Sequence, residues 1–443
     1  MKSIDAELAD LGMKIPDILL PREDVDMTRW SVVACDQYTS EPDYWKSLEE
    51  EVSESPSTLK LILPECYLES PDKAQRISQI NRTMESYLSD GVLNETGTSL
   101  ILVERKTPDS PSRWGLVAAL DLEKYDYSKD STSLIRATEG TILERIPPRK
   151  QIRQNAAIEL PHIMVLIDDP DKTVIEPLQS RLESFQCLYD FELMKNGGHI
   201  RGFRLSEESD ILSIVRSMKK LADPDRFKSL YGADDLILFA MGDGNHSLAT
   251  AKAIWEDLKQ RNRDNQEIMN HPSRWALVEI ENIYDKGLLF EPIHRVVFNS
   301  SFADFQKYLG KYGKTEFKAF DSVPALFEHV SSSPEFQILG YVDSDRTGVF
   351  EIDSPAATIS AGTAQYAIDS LIHDTHATVD YIHGIDTTER IGRQKGNFGV
   401  FLPALDKSDF FRTVAKDGSL PRKTFSMGHA HEKRYYLEAR KIR

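Results

Sequence analysis

The sequence predicts an α/β to α+β protein with mixed sheets and flanking helices. Three observations lead there. Strand-length apolar runs alternate with segments whose apolar residues recur every three or four positions, the periodicities of sheet and helix. The 443 residues are 40% hydrophobic and 28% charged, the balance of a globular chain long enough for two or three cores. No solenoid repeat, low-complexity segment or apolar run of transmembrane length interrupts the pattern.

Residues 1–30 read as extended or loosely ordered, with Pro16 and Pro21 as breaks. Residues 30–34 read as a short strand, and Ser40, Glu41 and Pro42 then open a helix through Trp45 and Leu48. An apolar run at 59–63 precedes a helix at 74–88, with Ile77, Ile80, Met84 and Leu88 on one face and Asp90-Gly91 as its stop. Strands at 100–105 and 114–120 flank a Pro/Ser/Asp loop at 107–112. A helix at 151–157, a strand at 163–167, a helix at 174–185, a strand at 200–205 and a helix at 210–221 continue the alternation. After the central strand 236–241 and its helix come strands at 275–280 and 289–297. Helices at 302–312 and 323–331 and strands at 336–343 and 347–352 follow, then a strand at 398–402 and a helix at 410–416. This divides the chain into an N-terminal α/β region (1–130), a central domain (131–298), an α+β insertion (299–355) and a C-terminal segment (356–443) that returns to the central site.

Net charge is -17 and the pI about 5.2. Phosphate backbones and anionic membranes attract basic faces, so neither nucleic acid nor membrane is expected as a partner. A small basic pocket for an anionic metabolite remains open, as does a homo-oligomer. Cys35, Cys66 and Cys187 are far apart and odd in number, which gives neither a disulfide framework nor zinc spacing. Asp5, Glu7 and Asp10 stand where a signal peptide would carry basic and apolar residues, so the expected location is cytoplasmic.

The most informative stretch runs from Asp235 to Asn262. An apolar strand meets the turn Gly242-Asp243-Gly244-Asn245-His246-Ser247, and Leu248, Ala251, Trp255 and Leu258 then recur at helical spacing. Strand, tight turn and helix aim free backbone N–H groups and a positive helix end at one point, which suits an anion. There Asp243 is a candidate metal ligand or base and His246 a candidate proton shuttle or phosphate contact. The plainer alternative is that Gly244 makes the turn while Asn245 or Ser247 caps the helix.

A second signal is basic. Arg136, Arg145, Arg149, Lys150 and Arg153 fall within eighteen residues of an acidic chain, interleaved with Thr138, Glu139 and Thr141. Arginine's planar fork fits phosphate or carboxylate, but surface ion pairs with the surplus acids account for the cluster equally well. Asp36, Gln37 and Tyr38, delivered by the 30–34 run, are a candidate second wall. His373, His376, His383, Asp374 and Asp386 are either metal ligands or helix-end caps, and their spacing matches no standard ligand set. The stretch from Leu420 to His431, with Lys423, Thr424 and two histidines, suits an anion or an exposed arm. Walker A, dinucleotide G-x-G-x-x-G, G-x-S-x-G and H-E-x-x-H motifs are all absent.

Four stretches, in order, carry a family resemblance: R-A-T-E-G-T at Arg136–Thr141, P-H-I-M-V-L-I-D-D-P from Pro161, F-A-M-G-D-G-N-H-S from Phe239, and G-S-L-P-R-K-T-F from Gly418. Together they resemble domain-of-unknown-function family 1015, across most of the chain. The central turn is also similar to the phosphate-binding turn of ParB and sulfiredoxin-like domains, some of which are free-serine kinases. The resemblance implies a strand–turn–helix unit of that type and a pocket for a nucleotide or small phosphorylated metabolite. It further implies phosphoryl transfer or phosphoester hydrolysis, with serine or phosphoserine as a substrate and Mg2+ with ATP or ADP as cofactors. In that reading Asp243, His246 and Glu139 are catalytic, and Asp243 holds the metal. Gly244, Asn245, Ser247, Arg136, Thr138, Thr141, Arg145, Arg149, Lys423 and Thr424 bind the phosphate or ligand. The chain departs from the D-G-H-H-R signature at Asn245 and Ser247, and so lacks the motif's phosphate-binding arginine there. A non-catalytic nucleotide- or metabolite-binding regulator is therefore the alternative function.

Overall fold

The computed structural model describes residues 3–332 and 336–443. Cα packing divides the chain into two units, Met1–Leu288 with Gly428–Arg443, and Leu289–Met427. Both are mixed α/β.

The first unit is built on a ten-stranded sheet. Its strand order is Gln186–Leu193, Gly198–Leu205, Leu100–Lys106, Arg113–Asp121, Trp275–Asn282, Met164–Ile167, Phe239–Asp243, Ile135–Arg136 and Tyr125–Asp126, with Met13–Lys14 also pairing Arg113–Asp121. Period-two alternation gives each face its own core. Leu100, Leu102, Leu116, Ala118 and Val278 pack on one side with Met218 and Trp255. Ile101, Val103, Val117 and Leu277 pack on the other with Trp30, Trp45, Met84 and Tyr435. Cover on both faces explains why every residue of Arg113–Asp121 is buried.

Several expectations change here. Residues 3–30 carry regular elements. Ser3 caps a helix at Ile4–Asp10, with Asp5 and Glu7 in its first turn, and Asp26 caps another at Met27–Trp30. The expected strand at 30–34 is instead the end of that short helix and an extended stretch. Its backbone pairs far along the chain: the N–H of Ala34 donates to the Arg434 carbonyl (3.0 Å) and the N–H of Tyr436 to the Val32 carbonyl (2.8 Å). The expected helix at 174–185 shrinks to Glu176–Gln179 and a 3-10 turn at Leu182–Ser184. Pro177 sits in the first turn of the former, as the missing proline N–H requires. The following strand, Gln186–Leu193, has no apolar run to announce it, because much of it is exposed at the sheet edge.

The second unit carries an antiparallel sheet in the order Lys314–Ala319, Thr347–Asp353, Gln337–Val342, Asn397–Phe401, Phe290–Phe298 and Thr378–His383, with Phe425–Met427 pairing Phe290–Phe298 as well. Phe302, Phe305, Tyr341, Phe350 and Phe398 stack into an aromatic core. His373 sits 2.9 Å from Asp374 at a helix end, and among the described residues no group of three metal-ligating side chains forms. No helix among them is long and apolar enough to cross a membrane.

Candidate functional site

The turn after Phe239–Asp243 forms as the sequence suggests, with one added device. Against Met164–Ile167 the pairing slips between Met241 and Asp243, a bulge at Gly242 that re-aims the strand end. Gly244 then takes φ +82°, and a Cβ there would come within 3.1 Å of the Ile163 Cα. Glycine is required on both counts. The Asn245–Arg261 helix starts at once, and no side-chain cap closes its first turn. The N–H groups of Ser247 and Leu248 both donate to the Gly244 carbonyl at 3.0 Å. The earlier amides, of Asn245 and His246, lie at the positive end of the helix.

Asp243 is flanked by charge. Its Oδ1 accepts the N–H of Gly244 at 2.8 Å, and Oδ2 lies 3.2 Å from the Lys433 ammonium. Burial would raise its pKa, but Lys433, His162 and the Gly244 N–H outweigh it and hold the carboxyl below the usual range. The side chain remains 26% exposed, so a ligand can reach it. Ser247 Oγ lies 2.9 Å from His162 Nε2, and the Tyr436 hydroxyl lies 2.9 Å from His162 Nδ1. Asp36 stands 4.0 Å from the same Nε2 and accepts a hydrogen bond from the Gln37 amide at 3.0 Å.

The Arg136–Arg153 stretch straps over this turn. The N–H of Thr138 donates to Asn245 Oδ1 (3.2 Å) and its hydroxyl to the Met241 carbonyl (2.7 Å). The N–H of Ile142 donates to His246 Nε2 at 3.4 Å. Burial first, then Arg149 and Arg145, lower the His246 pKa to about 4, with Asp36 opposing. His246 is therefore a neutral imidazole at pH 7, a hydrogen-bonding group rather than a charged acid. Glu139 is half-buried in the same strap. The Thr141 hydroxyl oxygen is buried with no protein hydrogen-bond partner, a polar atom turned inward.

Several expected residues have protein partners of their own. Arg136 is buried, and its guanidinium donates to the carbonyls of Ser133 (2.9 Å) and Asp235 (2.8 Å), which fixes the strap and leaves no fork for a phosphate. Arg149 pairs with Glu65 and also donates to the Arg145 carbonyl at 3.0 Å. Tyr38, at φ +51°, stacks on Tyr44 with centroids 3.8 Å apart. Lys423 and Thr424 belong to the second unit. There the Lys423 carbonyl accepts from Arg295 at 3.0 Å and the Thr424 hydroxyl donates to the Pro421 carbonyl at 2.7 Å. Three residues that sequence reasoning missed take prominent places: His162, Lys433 and Tyr436. The Pro161-His162 pair at a strand entry was a visible signal, whereas Lys433 and Tyr436 gave none locally.

A cavity of about 590 Å³ beside Glu256–Met269 shares no lining residue with this turn, and another of about 660 Å³ belongs to the second unit. The latter is lined by Asp353, Asp406 and Asp409 and, among the described residues, by no cationic side chain, which disfavours an anion. The former mixes Glu256 and Asp257 with Lys259 and Arg263, and Lys259 is already held by Glu123 and Glu256. The chemistry, rather than cavity size, singles out the Asp243 turn.

Mixed sheets flanked by helices define a mixed α/β protein, with a polar strand–turn–helix in its first unit. The chain belongs to the family described as protein of unknown function DUF1015, whose profile matches residues 18–442. No curated protein matches it. Among solved structures it is similar to a conserved hypothetical protein from Pyrococcus furiosus, at 10% identity and TM-score 0.33, covering 72% of this chain and 90% of that one. It is also similar to a free serine kinase in complex with AMP, at 10% identity and TM-score 0.36, covering 74% of this chain and 91% of that one. At these scores the likeness does not establish a shared fold.

Proposed function

We propose that this protein is an enzyme that binds a nucleotide or small phosphorylated metabolite and carries out phosphoryl transfer or phosphoester hydrolysis, with serine or phosphoserine as the first substrates to test. One observation carries the reading: Asp243, Lys433, His162 and Ser247 meet at a helix start that no side chain caps. Phosphoryl transfer is mostly positioning and charge stabilisation, and this turn offers both. Lys433 takes the charge role that the sequence motif assigns to an arginine, reaching the site from another part of the chain. The first-turn amides, with Thr141 and Arg145 on the strap, complete a phosphate cradle. The likeness of the turn to ParB and sulfiredoxin-like phosphate-binding turns supports the same ligand.

Mg2+ delivered with ATP or ADP needs only one or two protein carboxylates, the phosphates and water filling the rest of its shell. Asp243 would be that carboxylate, exchanging Lys433 for the metal while the ammonium moves to phosphate. Binding without turnover, as in a regulator, is the second reading, favoured by Ser247 standing where the motif has arginine.

A thermal-shift screen with inorganic phosphate, ADP, ATP with and without Mg2+, serine and phosphoserine tests both readings. At a hundred times Kd a ligand adds about 2.7 kcal/mol to the folded state. The expected result is stabilisation by a phosphate-bearing ligand that Lys433→Met and Asp243→Asn abolish, with product formation separating enzyme from regulator. Stabilisation by none of these ligands sinks the proposal.

A further inference from the structure

One pair beside the turn is built like a nucleophile and its base. Ser247 Oγ is 2.9 Å from His162 Nε2, and the other ring nitrogen faces the Tyr436 hydroxyl at 2.9 Å. The Tyr436 oxygen also accepts the N–H of Cys35 at 3.2 Å, so the phenol cannot drift. The imidazole is almost enclosed, with its side chain 10% exposed, and the Asp36 carboxylate lies 4.0 Å from Nε2. A hydroxyl on one nitrogen, a fixed orienting group on the other and a nearby carboxylate to steady an imidazolium form the pattern that activates serine. The tautomer follows from the partners. The phenol oxygen takes the Cys35 N–H on one lone pair and has a second for Nδ1–H, and in that tautomer Nε2 accepts from Ser247. A serine in the first turn of a helix that served only structure would need none of this, since a backbone carbonyl or water satisfies its hydroxyl.

We propose that Ser247 is a covalent nucleophile, with His162 as its base and Tyr436 as the positioning residue for that base. This rests on the phosphoryl-transfer reading and names the group that attacks. As Ser247 Oγ forms its bond to phosphorus, the bond from phosphorus to the leaving oxygen breaks and its electron pair departs with that oxygen. The serine proton passes to His162 Nε2 and then to the leaving oxygen. Water, or an acceptor hydroxyl, next attacks the phosphoserine with His162 taking its proton. That step releases inorganic phosphate or the phosphorylated acceptor and restores Ser247. Nothing is oxidised or reduced. Lys433 and the amides of Asn245 and His246 lie where charge on the transferring group develops.

A fluorophosphonate tests the nucleophile without knowledge of the substrate, because attack by an activated serine forms the O–P bond and expels fluoride. The 443-residue protein is treated with diisopropyl fluorophosphate and read by intact mass and peptide mapping, with inorganic phosphate tested separately on the unmodified protein by thermal shift. The expected result is one adduct, on Ser247, absent in Ser247→Ala and formed about 100-fold more slowly in His162→Gln. Tyr436→Phe keeps the ring in place and is expected to slow labelling about 10-fold. It carries the test if His162→Gln fails to fold by circular dichroism. Phosphate binding with no adduct, or with an adduct elsewhere, overturns the nucleophile and leaves the phosphate site standing. If phosphate does not bind and Ser247 is unlabelled, both readings fall.

Discussion

His246 is held neutral by burial and by the charges of Arg149 and Arg145, with its pKa lowered to about 4, and buried His294 in the second unit is lowered likewise to about 4. In an unfolded chain a histidine titrates near 6.5. Between pH 6.5 and pH 4 the unfolded chain therefore takes up protons that the folded one refuses, and stability falls as pH drops through that window. Urea titrations are expected to give a midpoint steady above pH 7 that declines toward pH 4, with His246→Gln removing part of the decline. An unchanged pH slope in that variant would contradict the assigned environment. Arg434 makes a second residue-level case. Buried with its side chain 1% exposed, it pairs with Glu279 at 2.6 Å and Glu438 at 2.7 Å. Arg434→Met strands two buried carboxylates, and a loss of about 3–5 kcal/mol is expected in equilibrium unfolding. This arginine also anchors the backbone next to Lys433, so its loss disturbs the site as well as the core.

The strand–turn–helix element works because two glycines do different jobs. Gly242 opens the bulge that re-aims Asp243, and Gly244 turns the chain at φ +82° into the Asn245–Arg261 helix. Placing alanine at Gly244 meets both the left-handed penalty, about 1–2 kcal/mol, and the Ile163 backbone 3.1 Å from the new Cβ. Gly244→Ala is accordingly expected to lower the melting temperature and weaken phosphate-dependent stabilisation together. Weakened binding with an unchanged melting temperature would show that the turn stores no such strain. The strap from Thr138 to Ile142 is the complementary element. Its hydrogen bonds to Asn245, Met241 and His246 fix the turn from outside, so the arginine-rich stretch positions the site more than it grips a ligand.

At the scale of the whole chain, the last sixteen residues, Gly428–Arg443, belong to the first unit, although the Leu289–Met427 unit separates them from the rest of it in sequence. Tyr435, Tyr436, Leu437 and Ile442 are buried there. At about 1.5–3 kcal/mol each, these side chains supply about 6–12 kcal/mol, comparable with the whole stability of an ordinary domain, about 5–15 kcal/mol. A chain ending at Met427 is expected to lose cooperative unfolding of the first unit while peptides from Leu289–Met427 stay protected from protease. Retention of first-unit protection by the truncated chain would show that the C-terminal segment is dispensable.

Local chemistry made the fold class and the central turn legible. A six-residue apolar run, a glycine-bearing turn and a helical repeat lie together in sequence, so Asp243, Gly244, Asn245, His246 and Ser247 could be picked out before any contact was known. Family resemblance was legible for the same reason, through short contiguous motifs. What surrounds that turn was not. His162 reaches it from the residues just before Met164–Ile167, where the Pro161-His162 pair was the one local mark, and Lys433 and Tyr436 reach it from the C-terminal segment, where nothing nearby marks them. The same holds for Arg136 and Thr424, whose residue types suited an anion but whose side chains donate to backbone carbonyls in the folded chain. Sequence by itself determined which groups could do chemistry and where the chain would bend. The tertiary structure alone decided which of them meet, because burial and pairing are set by neighbours distant along the chain.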